Sequence, residues 1–136
     1  MSSPPRRGIV SGADVREKPS GDLELQADEF SAFHRVVGTD ETWELREGGP
    51  LEVHVIRRDG CHEKHRLSLE AGGIRTETIE RGTLRAARLA PGARMARVAR
   101  LPRTQLDGLV REFPTAREIV REHPLHEAVV LELTRC

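Results

Sequence analysis

Polar and apolar residues alternate along most of the chain from Asp22 onward. DLELQ (22–26), TWELRE (42–47) and LEVHVI (51–56) change face at nearly every residue, which is the period of a strand with one buried side. Gly48-Gly49-Pro50 separates two of these runs, and Asp59-Gly60 marks a hairpin turn into HEKHRLSL (62–69). Gly72-Gly73 then introduces IRTETI (74–79), and Gly82 introduces TLRAARLA (83–90), which ends at Pro91-Gly92. Short strands at this spacing, with glycine turns between them, predict an all-β sandwich or barrel.

Past Pro102 the period lengthens. Leu106, Leu109, Val110 and Phe113 recur at three and four, which predicts an amphipathic helix over 104–113. Pro114 suits the first turn of a helix and opens PTAREIVREH as a second one, so the helical region runs over about 104–123. The tail HEAVVLELTRC fits either a strand, by its residue types, or a helical stripe through Leu125, Val129 and Leu133. Residues 1–20 hold Pro, Gly, Ser and charge without a period and read as a flexible lead-in, leaving 21–136 as a single domain.

Composition removes several function classes. The 136 residues are enough for one core, and 22 basic residues against 22 acidic ones leave no overall footprint for nucleic acid. Three Phe, one Trp and no Tyr leave little on which to stack bases. No apolar run is long enough to span a membrane, and MSSPPRRGIVSG has no signal-peptide core. Two cysteines, Cys61 and Cys136, make no disulfide framework, so the expected home is the cytoplasm. All but two of the basic residues (Lys18 and Lys64) are arginine, a bias that fits a GC-rich bacterial genome. Motifs for a serine nucleophile, a phosphate loop or a dinucleotide fold are missing.

One stretch, FSAFHRVVGTDETWELREGGPLEVHVIRRDG, carries a resemblance. His34, Val36, Glu41 and Gly48 follow the spacing of the first motif of the cupin superfamily, normally H-x-H, three or four residues, E, six residues, G. The same stretch, with GGIRTETIERGTLRAARLAPG and LVREFPTAREIVREH, resembles a small bacterial cupin family catalogued as a domain of unknown function. The resemblance covers roughly 22–123. It implies a double-stranded β-helix, or jelly-roll, barrel with one or two C-terminal α-helices, and a homodimer.

In a cupin, three His and one Glu commonly hold a divalent metal. Here the second His of the first motif is Val36, and the His of the second motif is Arg85. Two ligands beside a guanidinium make a poor cation site, so no metal is expected. The resemblance then implies metal-independent acid–base chemistry on a small anionic metabolite: isomerisation, epimerisation, cyclisation or dehydration. His34 would carry the proton, with Glu41 as its orienter or partner base. Arg85 would hold the anion, joined by Arg97 if that residue faces the pocket. Trp43 shares a strand face with Glu41, and His54 is a further pocket residue. One alternative is a non-catalytic ligand-binding or sensory cupin; another is a divalent-metal cupin using nonstandard ligands such as His54 or His65.

Two further constellations need placing. Cys61, His62 and His65 in CHEKH could ligate zinc, although no partner pair stands at finger spacing. The run from Arg81 to Arg103 carries seven arginines and no acid. Its three-residue period suggests a helix with a phosphate-binding stripe, whereas the resemblance requires a strand that divides the arginines between two faces.

Overall fold

The computed structural model describes residues 13–14, 22–101 and 110–134. Two sheets, antiparallel apart from the β1–β3 pair, face each other, with C-terminal helices on the outside of one. The strands are β1 (Ala13–Asp14), β2 (Leu23–Gln26), β3 (Glu29–Val37), β4 (Glu41–Gly48), β5 (Leu51–Ile56), β6 (His62–Leu67), β7 (Thr76–Ile79), β8 (Leu84–Leu89), β9 (Met95–Leu101) and β10 (Val110–Glu112). The larger sheet runs β1-β3-β8-β5-β6, with β10 also on β3, and the smaller one β2-β9-β4-β7. This is the jelly-roll architecture expected from the alternating runs.

Two apolar layers follow from strand parity. Leu51, Val53 and Val55 of β5 face Leu25, Trp43, Leu45 and Val98 in the inter-sheet core. Ile56, with Phe33 and Leu84, instead meets Ile119, Val130 and Leu133 from the helices. The larger sheet is therefore covered on both faces, which is why β5 is almost wholly buried. Gly48, at the end of β4, sits at φ 76°, and a Cβ there would come within 2.2 Å of the Met95 carbonyl oxygen. Close backbone approach thus explains the glycine that closes the first motif.

The chain after Pro102 departs from expectation. Residues 104–109 of the first predicted helix lie outside the described residues, but Val110–Glu112 is a strand. It pairs antiparallel with Val37–Arg35 and occupies an edge that β3 would otherwise leave open. Edge pairing overrides the helical spacing of the apolar residues. The second helix forms as α1 (Ala116–Glu122), but its cap is Thr115, which makes a reciprocal capping box with Glu118. Pro114 precedes that cap instead of occupying the first turn.

The open question of the tail resolves as a 3-10 turn over Pro124–His126 and α2 (Glu127–Glu132). Leu133 is buried while Leu125 is 92% exposed, so the apolar stripe starts after the turn. Within the lead-in, Ala13–Asp14 pairs in parallel with Glu29–Phe30, against the expectation of a segment without structure; the rest of 1–20 lies outside the described residues. Among those residues no helix is long and apolar enough to cross a membrane.

Candidate functional site

His34 and Arg85 are direct cross-strand partners on β3 and β8. Glu41 and Trp43, two residues apart on β4, point from the opposite sheet into the same interior. All four are buried, with relative exposures of 0–1%. The sequence candidates His34, Glu41, Arg85 and Trp43 therefore converge.

Glu41 is the hub. Its Oε1 accepts from Trp43 Nε1 at 2.8 Å and from Arg85 Nη1 at 3.0 Å. Arg111 of β10 donates to both carboxylate oxygens, through Nη1 to Oε1 at 3.3 Å and through Nη2 to Oε2. Burial works to raise this carboxyl, but the hydrogen bond and charge of Arg111, with help from Trp43, outweigh it and bring the pKa down to about 2. Glu41 is thus held as an anion, with three donors on Oε1 and one on Oε2, an arrangement that suits the orienter of the two roles expected for it better than the base.

His34 has a defined tautomer. Its Nδ1 lies 2.9 Å from the Ala32 carbonyl oxygen, which can only accept, so Nδ1 carries the hydrogen. Nε2 then accepts from Arg111 Nη1 at 3.0 Å. Burial pushes the imidazole well below its ordinary pKa; the Ala32 bond opposes this, and the charges of Arg111, Arg100 and Arg85 reinforce it. Phe113 stacks on the ring at a centroid distance of 4.9 Å.

Arg85 is committed to the protein. Nε and Nη2 donate to the Thr83 carbonyl at 3.2 and 3.0 Å, Nη2 also to the Glu80 carbonyl at 3.1 Å, and Nη1 to Glu41. Burial lowers its pKa to about 10, against the pull of Glu41, so it stays charged at neutral pH. A guanidinium spent on the backbone in this way tethers the 80–83 turn and has little left for a ligand.

Two arginines complete the cluster: Arg111, which sequence reasoning missed, and Arg100, present in the arginine run but not picked out as a pocket residue. Arg111 was assigned to a helix; only its edge pairing with β3 carries it to His34 and Glu41. Arg100 is buried, with its guanidinium carbon 5.6 Å from the Trp43 ring centroid. A run with a three-residue period, once extended as β9, sends Arg100 inward and Arg97 outward. That parity was available in the sequence.

The remaining candidates lie elsewhere. Arg97 is at the surface, bonded to Glu47 through Nε at 3.1 Å and Nη2 at 2.9 Å, so it does not join Arg85. His54 sits on the helix-facing side of β5, its Nδ1 3.0 Å from His62 Nε2, and not in the interior. CHEKH is split by alternation: His62 faces His54, while His65 meets Glu63 and Glu77. The proposed zinc trio of Cys61, His62 and His65 therefore does not assemble.

The interior does not fit a divalent metal. Glu41 has no oxygen unclaimed by a donor, the His34 lone pair faces a cation, and Val36 and Arg85 stand at the other two ligand positions. Among the described residues no group of three His, Cys, Asp or Glu side chains converges as a metal site.

Comparison with known proteins agrees with the fold. A family model described as "Cupin superfamily (DUF985)" matches residues 23–102, more than half of the chain. A Shewanella oneidensis protein solved by X-ray crystallography superposes with a TM-score of 0.69 at 23% identity, covering 95% of this chain and 85% of that one. A hypothetical protein from Leishmania major gives a TM-score of 0.69 at 19% identity, covering 94% and 87%. No curated protein matches.

Proposed function

The chain belongs to the cupin superfamily family DUF985, and on that premise we propose that it acts on a small anionic metabolite by metal-independent acid–base chemistry centred on His34. What supports this reading is the contact between Arg111 Nη1 and His34 Nε2 at 3.0 Å. It places a cation at the lone pair of an imidazole whose tautomer leaves that lone pair as its acceptor. An anionic substrate that accepts from Arg111 Nη1, while Glu41 keeps Nη2, frees His34 Nε2. The substrate's charge also raises the imidazole pKa toward neutrality. His34 then takes a proton from carbon next to a carbonyl. The electron pair left behind passes into an enolate held by Arg111, and the proton returns at another position. Arg111 replaces Arg85 as the anion anchor in this scheme, and Glu41 positions Arg111.

The test is turnover of isomerisable carboxylates, such as 2-keto acids or keto-sugar acids, followed by hydrogen–deuterium exchange at the carbon acid. Exchange by the wild type that is lost in His34→Gln with the fold intact is expected. Exchange that persists in the variant overturns the role of His34.

A second reading, a binding or sensory cupin without turnover, is favoured by the lowered pKa values of both His34 and Glu41. Neither is a strong proton acceptor until a ligand changes its surroundings. Recovery of bound compound without deuterium exchange distinguishes this reading from the first.

A further inference from the structure

A separate groove lies outside the sandwich, where the ends of β3 and β5 and the start of β8 meet the end of α1. It encloses about 890 Å³, a metabolite-sized space, and none of His34, Glu41 or Arg85 lines it. Val37, 41% exposed, supplies apolar wall with Ile56 buried behind it, and Gly38 supplies bare backbone. Arg57, Arg58 and Arg81 also border an adjoining hollow of about 670 Å³, together with Asp40, Asp59 and Glu80. Arg35, Glu112 and Glu122 border another of about 290 Å³, where Arg35 Nη2 donates to Glu122 Oε1 at 3.3 Å, so three arginines gather at one end and two glutamates at the other.

The basic end is built. Arg58 Nη2 donates to the Arg81 carbonyl at 3.4 Å. Its guanidinium lies so close over Gly82 that a Cβ there would meet Nη2 at 2.5 Å and Nε at 2.8 Å. Gly82 is in turn held by its amide, which donates to the Val36 carbonyl at 2.9 Å. Arg57 is gripped through two bonds by Glu63, which leaves Arg58 and Arg81 as the main cationic donors. Of the neighbouring carboxylates, Asp40 accepts from the Arg81 amide and Asp59 from the Cys61 amide, each at 2.9 Å. With Glu80 they temper the positive potential, so binding is of moderate strength and weakens with salt.

We propose that this groove binds a sugar phosphate. The phosphate sits between Arg58 and Arg81 beside the Gly38 backbone, the sugar carbons lie on Val37, and the hydroxyls donate to Glu112 and Glu122. This site is independent of the interior cluster and of the reaction assigned to it.

Ribose 5-phosphate, ribose and inorganic phosphate are titrated separately into the full chain, with backbone amide NMR shifts as the readout. Ribose 5-phosphate is expected to move the Gly38 and Gly82 amides and to bind more tightly than either fragment. Arg58→Ala combined with Arg81→Ala weakens it about tenfold or more. Both side chains are exposed, so the double variant keeps the fold; Arg94→Ala, in the β8–β9 turn, leaves binding unchanged. Absence of binding, equal binding by ribose or by inorganic phosphate, or an unaffected double variant overturns the proposal.

Discussion

Arg111 and Glu41 join the two sheets. Arg111 stands on β10 beside the larger sheet and Glu41 on β4 of the smaller one, and the guanidinium engages both carboxylate oxygens in a site where the two side chains are 7% and 0% exposed. Arg85 adds a second cation to the same carboxylate at 3.0 Å. A single anion thus holds together cations from separate strands. Removing it leaves buried charge without compensation, whereas keeping it fixes how the sheets close over the interior.

Glu41→Gln tests that dependence. It preserves shape but removes the countercharge of Arg85 and Arg111, so the expected loss of stability is about 3–5 kcal/mol in urea unfolding. A loss below about 1 kcal/mol, the value of an exposed pair, would show that the cluster does not hold the sheets together.

Stability should fall as the solution becomes acid. His54 drops from its ordinary 6.5 to about 4, chiefly through burial and then the neighbouring His62, and His34 and His62 are lowered as well. Glu41 drops from 4.5 to about 2. In each case the unfolded chain binds protons at a pH where the folded one does not, so stability rises with pH. The histidine contribution is complete above 6.5 and declines as pH falls toward 4. That of Glu41 is complete above 4.5 and is lost toward 2. The urea midpoint is expected to decrease steadily from pH 7 to pH 4, less steeply in His54→Gln. A flat profile over that interval contradicts the neutral, buried state of these rings.

The arrangement of donors also makes an expectation about cations. Wild-type protein titrated with Mn²⁺ or Ni²⁺ in a calorimeter is expected to show no tight stoichiometric binding dependent on His34. Restoring the missing imidazoles and releasing Glu41, as Val36→His, Arg85→His and Arg111→Leu together, should create such binding. A wild-type metal lost on His34→Ala would overturn the reading of the interior as an ion-pair cluster.

Trp43, the chain's single tryptophan, reports on the same place. Fully buried beside Arg100 and bonded to Glu41, it is expected to emit in the blue and to resist acrylamide quenching until the protein unfolds. Trp43→Phe removes the Nε1 donor and should cost about 1–3 kcal/mol. A wild type as readily quenched as free indole would contradict its burial.

Much was legible without coordinates because strand alternation is local. The parity that puts Leu51, Val53 and Val55 in one layer also puts Glu41 and Trp43 on one face, and the glycines between runs mark where the chain must turn. The same parity, followed along β9, separates Arg97 from Arg100 and, along β6, His62 from His65; both separations were open to a strict two-residue reading. His34, Glu41 and Arg85 came together through the motif spacing that the resemblance supplied.

Sequence alone determined which residues could share a face, and hence the layers and the turns; with the motif spacing it also picked out four members of the interior cluster, His34, Glu41, Trp43 and Arg85. Tertiary structure decided the partner that gives the cluster its chemistry. Arg111 lies 70 residues from Glu41 and 77 from His34, and its segment carries the apolar spacing of a helix. Only the open edge of β3, whose unpaired backbone groups are satisfied by β10, makes that segment a strand and delivers its guanidinium to the carboxylate. Local periodicity contains no term for an edge supplied by a distant part of the chain, and the charge state of a buried group depends on just such an arrival.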